Sequence, residues 1–64
     1  MSNRTKYKVT NTYGISGETN HNSVGSALQA RDKREGLGWV VKDIKGNTWD
    51  HDNDGFATII AYGD

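Results

Sequence analysis

No cysteine occurs anywhere in this chain, which is only 64 residues long. A chain of that length buries only about 60% of the surface its unfolded form exposes. Domains so small commonly recruit disulfides, a structural metal or a second subunit. Without cysteine, disulfides are excluded, as are thiol catalysis, zinc-finger ligation and iron–sulfur chemistry. What remains is a thin apolar layer, alone or helped by an ion or by self-association. The length permits one domain, residues 1–64, with residues 1–5 expected to fray.

The apolar pattern specifies how that layer is laid down. In Lys6–Tyr13, Tyr7, Val9 and Tyr13 fall on one face, with Asn11 as the exception. Lys6, Lys8, Thr10 and Thr12 fall on the other, so the segment reads as a half-buried strand. Gly14 and Gly17 mark a turn, and Ile15–Asn20 is a candidate return strand. Asn22 or Ser23 can then cap a helix in which Val24, Ala27, Leu28 and Arg31 share one face. Gly36 suits the residue after its end, with Leu37 folding back on the last turn.

Three strand signals follow the helix. Gly38–Ile44 carries Trp39, Val40, Val41 and Ile44. Lys45-Gly46-Asn47 is a turn, Thr48–His51 a short strand, and Asn53-Asp54-Gly55 a second turn with positive φ at the glycine. Phe56–Tyr62 is apolar at every position but Thr58, which suits a strand covered on both faces or central in the sheet. The expected fold is α+β: one helix on a small, mostly antiparallel sheet of three to five strands, in the order β-(β)-α-β-β-β. Its expected core is Tyr7, Val9, Val24, Leu28, either Val40 or Val41, Phe56, Ile60 and Tyr62.

Charge supplies the candidate sites. The formal net charge is zero, but it is unevenly spread. Residues 1–45 hold eight basic against four acidic groups, and residues 46–64 hold only four aspartates. A bipolar surface follows if the fold keeps the two sets apart. Asp50, Asp52 and Asp54 with Gly55 match the opening of an EF-hand loop, where spaced carboxylates gather around a hard cation. The match ends there, because the twelfth position is Ala61 instead of a bidentate glutamate and strands flank the loop. These aspartates are therefore candidates for weak divalent-cation binding only, and no cofactor or firm metal site is expected.

Trp49, Asp50, Asp52 and Asp54 together form the expected partner-binding surface, an aromatic anchor beside an acidic turn that complements a basic groove. The alternative is a nucleic-acid-binding patch of Lys6, Lys8, Arg31 and Arg34. The two histidines, His21 and His51, lie in polar segments. No nucleophile elbow or phosphate loop accompanies them, so an enzyme is not expected.

The strand at Lys6–Tyr13, the helix around Ser26-Ala27-Leu28-Gln29-Ala30 and the strand Trp39–Ile44 give residues 6–45 a layout similar to small phage- or mobile-element-encoded accessory proteins that inhibit host machinery. That resemblance implies an inhibitor or regulator and assigns no residues. No apolar run approaches the ~20 residues that span a bilayer, and Met1–Lys8 lacks the apolar centre of a signal peptide. The expectation is a cytoplasmic protein-binding module, monomer or homodimer, with no membrane partner.

Overall fold

Five strands and one helix form around β1 (Tyr7–Asn11), the strand whose alternation is clearest in the sequence. The computed structural model describes residues 6–63. The expected fraying of residues 1–5 lies outside them. β2 (Thr19–His21) returns antiparallel beside β1, and α1 (Val24–Asp32) follows. β3 (Trp39–Asp43), β4 (Thr48–His51) and β5 (Ala57–Ala61) then run as an antiparallel meander. The sheet order is β2-β1-β3-β4-β5. Because β2 and β3 both pair antiparallel with β1, they run parallel to each other, and α1 is the crossover between them. The expected α+β architecture, one helix on an antiparallel sheet, is the one found.

Register fixes which side chains meet the helix. Val9 stands opposite Val41, Tyr7 opposite Asp43, and Asn11 opposite Trp39. Val41 in turn stands opposite Trp49. Val9, Val41, Leu28 and Ala27 are the fully enclosed residues, with Tyr7, Val24, Ala30, Trp39, Trp49 and Ala57 around them. Of the two valines left open by the sequence, Val41 faces inward.

Asn11, the break in the apolar alternation, is buried at 7% exposure. Burying an amide is costly unless its hydrogen bonds are made. Its Oδ1 accepts from Tyr13 N–H at 2.7 Å, and its Nδ2 donates to the Leu37 carbonyl at 3.1 Å. Asn11 thus ends β1 and ties it to the segment entering β3. Gly38 makes that closure possible. Its φ is +94°, and a Cβ there would stand 2.5 Å from the Tyr13 ring.

Ser23 is the helix cap, its Oγ accepting from Ser26 N–H at 3.2 Å. The C-terminus differs from expectation. The helix ends at Asp32, and the bonds Lys33 N–H to Ala30 O and Arg34 N–H to Arg31 O tighten its last turn. Gly36 still takes positive φ, but beyond the helix, and Leu37 is exposed instead of folding back. Arg34 is drawn away to the Gly17 carbonyl at 2.5 Å and stacks over Trp39 at 4.5 Å. The return strand is also displaced. It forms at Thr19–His21, because Gly14 and Gly17, both with positive φ, hold Ile15–Glu18 in the loop.

The largest correction concerns Phe56–Tyr62. This most apolar stretch forms the edge strand β5 and is not central. Phe56 is 70% exposed, Ile60 58% and Tyr62 80%, so none joins the core. A nine-residue helix covers one face of two or three strands at most. Here the buried cluster sits under it at β1 and β3, and β5 contributes only Ala57 to the surroundings.

Leu28→Ala or Val41→Ala should therefore destabilise the domain by about 2–5 kcal/mol. Phe56→Ser should change stability by no more than about 0.5 kcal/mol. Urea denaturation of the three variants checks this ordering. A loss at Phe56 matching that at Leu28 would contradict the edge placement.

Candidate functional site

The acidic turn is built by its own backbone needs. Asp52 Oδ1 accepts from Asp54 N–H and from Phe56 N–H, each at 2.9 Å, and Gly55 supplies a φ of +88°. Asp50 Oδ1 lies 2.7 Å from Arg31 Nη1 and accepts from His51 N–H at 2.7 Å. Burial alone would raise the Asp50 pKa, but the bonds from Arg31 and His51 outweigh it and hold the carboxyl below its ordinary value. Arg31 also binds Asp32 at 2.6 Å, and Asp32 Oδ2 lies 3.1 Å from His51 Nε2. These contacts clamp the end of α1 to β4. Among the described residues, no three His, Asp or Glu side chains converge as an ion's ligands would.

Trp49 is half-buried and points into the domain. Its ring meets Tyr7 edge to face at 5.9 Å, and its Nε1 donates to Asp43 Oδ2 at 2.9 Å. Asp43 also accepts from Lys45 N–H, Asn47 N–H and Asn47 Nδ2, so one carboxylate organises the whole β3–β4 turn. Burial would push its pKa up; the bonds from Trp49, Asn47 and Lys45 prevail and hold it down. Of the expected partner surface, Trp49, Asp50 and Asp52 are thus engaged internally, and Asp54 alone keeps its carboxylate out of these bonds. The sequence signal for this role was absent at Asp43, which reads only as one charge at the end of a strand.

The four basic candidates fall into two groups. Arg31 and Arg34 lie at the helix end, held by Asp32, Asp50 and the Gly17 carbonyl. Lys6 and Lys8 lie on the sheet face opposite the helix, by alternation from the buried Val9. Lys42 stands directly opposite Lys8 across the β1–β3 ladder. Like charges in directly opposed positions destabilise a sheet. Lys8 has partial relief from Glu18 at 3.7 Å. Among the described residues, no ion pair within 4.0 Å involves Lys6 or Lys42. Val40 shares the face with Lys42, and Ile44, in the turn after β3, is 75% exposed. An open hollow of about 370 Å³ at this end of the β1–β3 ladder is lined by Lys6, Lys8, Asn20, Lys42 and Ile44 together with Tyr7 and Asp43. Lys42 is a further candidate for the basic patch from the sequence; the register sets it directly opposite Lys8, and Ile44 lines the same hollow.

A third constellation joins Ser26, His21 and Thr19. His21 Nδ1 lies 3.2 Å from Ser26 Oγ, and its Nε2 lies 2.8 Å from Thr19 Oγ1. A serine–histidine pair used for nucleophilic catalysis needs a carboxylate or its equivalent behind the imidazole. Thr19 offers a neutral hydroxyl, and the arrangement ties the first turn of α1 to β2.

The chain matches no protein-family model, no curated protein and no solved structure among those compared with it. No helix among the described residues is long and apolar enough to cross a membrane.

Asp32, Asp43 and Asp50 all titrate below the ordinary aspartate value of 3.8. Their contribution to stability is complete above that value and is lost as pH falls through the lower folded values. The melting temperature should therefore drop below about pH 4. Asp43→Ala should lower it at neutral pH by about 4–8 °C, the shift that roughly one kcal/mol produces in a small domain. Thermal melts at pH 7, 4 and 2.5 test both, and a pH-independent melting temperature would contradict them.

Proposed function

We propose that this chain is a small, non-catalytic protein-binding module whose docking surface is the helix-free face of the sheet. Its partner presents an acidic surface with apolar contacts, and the module acts as an inhibitor or regulator by covering that surface. The observation that carries this reading is the Lys8–Lys42 pair, with Val40 on the same face and Lys6 and the exposed Ile44 lining the hollow beside it. An antiparallel sheet commonly leaves one face wet, so a bare face alone means little. Opposed lysines on it and an exposed isoleucine beside it both cost stability or solubility in the free protein, and an acidic partner relieves both.

The same geometry favours this face over the acidic turn, whose Trp49, Asp50 and Asp52 are engaged within the domain. It also favours a protein over a nucleic acid. Sheet surfaces that read single strands stack bases on aromatic rings. The alternating outward set of β1 and β3, Lys8, Thr10, Val40 and Lys42, contains none. A cytoplasmic site of action suits a chain without cysteine.

Affinity capture from the native host's lysate, with Lys6→Glu/Lys8→Glu/Lys42→Glu compared with the unaltered chain, tests the reading. The reversed chain should keep its fold and lose the captured protein at least about tenfold, since each unit of 1.4 kcal/mol is a factor of ten. Asp52→Lys/Asp54→Lys should retain it. Equal capture by both lysine forms would reject the face. Retention that nuclease abolishes would replace the protein reading with the nucleic-acid one.

A further inference from the structure

The outer edge of β5 carries an inference independent of the lysine face. Among the described residues, β5 pairs with β4 on one side only, and no backbone bond reaches its other side. Free edges are usually blunted by lysine, proline, a bulge or brevity. The other edge, β2, is three residues long and polar. β5 lies in the run Phe56-Ala57-Thr58-Ile59-Ile60-Ala61-Tyr62, seven residues without charge, glycine or proline. An exposed segment of that composition is prone to pair with another strand.

We infer that the occupant of this edge is a second copy of the chain, docked β5 to β5 antiparallel about a two-fold axis through Ile59. A two-fold contact requires the patch to be complementary to itself. Folding the run about Ile59 sets Phe56 against Tyr62, Ala57 against Ala61, Thr58 against Ile60, and Ile59 against its own copy. Each match joins aromatic to aromatic, small to small or β-branched to β-branched, the pairings that stabilise neighbouring strands. The large apolar side chains that the isolated domain leaves exposed along this run, Phe56, Ile60 and Tyr62, all gain partners.

Charge agrees with the same arrangement. The turn bearing Asp52 and Asp54 stands at the N-terminal end of β5. Lys45 is in the β3–β4 turn, which lies at the C-terminal end of β5, where Gly63 N–H donates to Asn47 Oδ1 at 2.8 Å. Antiparallel docking places the acidic turn of each copy alongside the Lys45 turn of the other. The product is one continuous ten-stranded sheet, from two sheets of five strands. A seven-residue edge falls short of the area typical of permanent dimers, so the association is reversible.

Sedimentation equilibrium of the full chain over a concentration series tests this, with Ile60→Lys and Tyr62→Lys as separate variants. Both positions are exposed, so both variants should fold, which circular dichroism verifies. The unaltered chain should pass from monomer to dimer with rising concentration, and each variant should need at least about tenfold more protein to do so. Lys6→Glu/Lys8→Glu/Lys42→Glu should dimerise normally, which separates this contact from the partner-binding face. A monomer throughout the series would overturn the inference, and so would a dimer that both edge variants leave intact.

Discussion

Val9 opposite Val41, roofed by Leu28 and Ala27, is the contact on which the rest of the domain depends. It joins β1, the central strand β3 and the helix α1. Apolar neighbours such as Tyr7 and Trp49 pack around it, and polar devices fasten its margin. Asn11 closes one end of the β1–β3 ladder, and Asp43 organises the other through four donors. The Arg31 network fixes the end of the helix to β4. In a domain with so little enclosed apolar surface, such groups replace the disulfides the chain lacks.

Local patterns were legible wherever one residue determines its neighbours. The Ser23 cap, the Val9 alternation, the turn at Gly55 and the fold class all follow from spacing and turn chemistry. Strand order was not legible, because it depends on which pairings compete for one short helix. Hydrophobicity therefore misplaced Phe56–Tyr62, whose composition suits a sheet centre although the helix reaches too little of the sheet to cover it. The helix end was likewise decided by long-range contacts of Arg31 and Arg34 with Asp50, Gly17 and Trp39.

The candidate sites divide along the same line. The acidic turn was conspicuous as a string of aspartates, but Arg31 holds one oxygen of Asp50 and the turn's own backbone holds one oxygen of Asp52. Of the basic set, Lys6 and Lys8 lie on the helix-free face, and the register places Lys42 opposite Lys8. The bipolar distribution seen in the sequence is not kept apart in space, because Arg31 of the basic segment pairs with Asp50 of the acidic one. The Asp52–Asp54 turn and the Lys45 turn sit at opposite ends of the sheet. A one-helix cover thus leaves two outer resources: a basic face and a bare apolar edge.

Amide hydrogen exchange, measured on protein dilute enough to be monomeric, reads out whether β1 and β3 form the stable centre of the domain. The account predicts the slowest exchange in β1 and β3 around Val9 and Val41, with β5 exchanging much faster through local opening of a thinly supported edge. Protection in β5 equal to that in β1 would contradict it, because the apolar C-terminal strand would then belong to the stable centre of the domain.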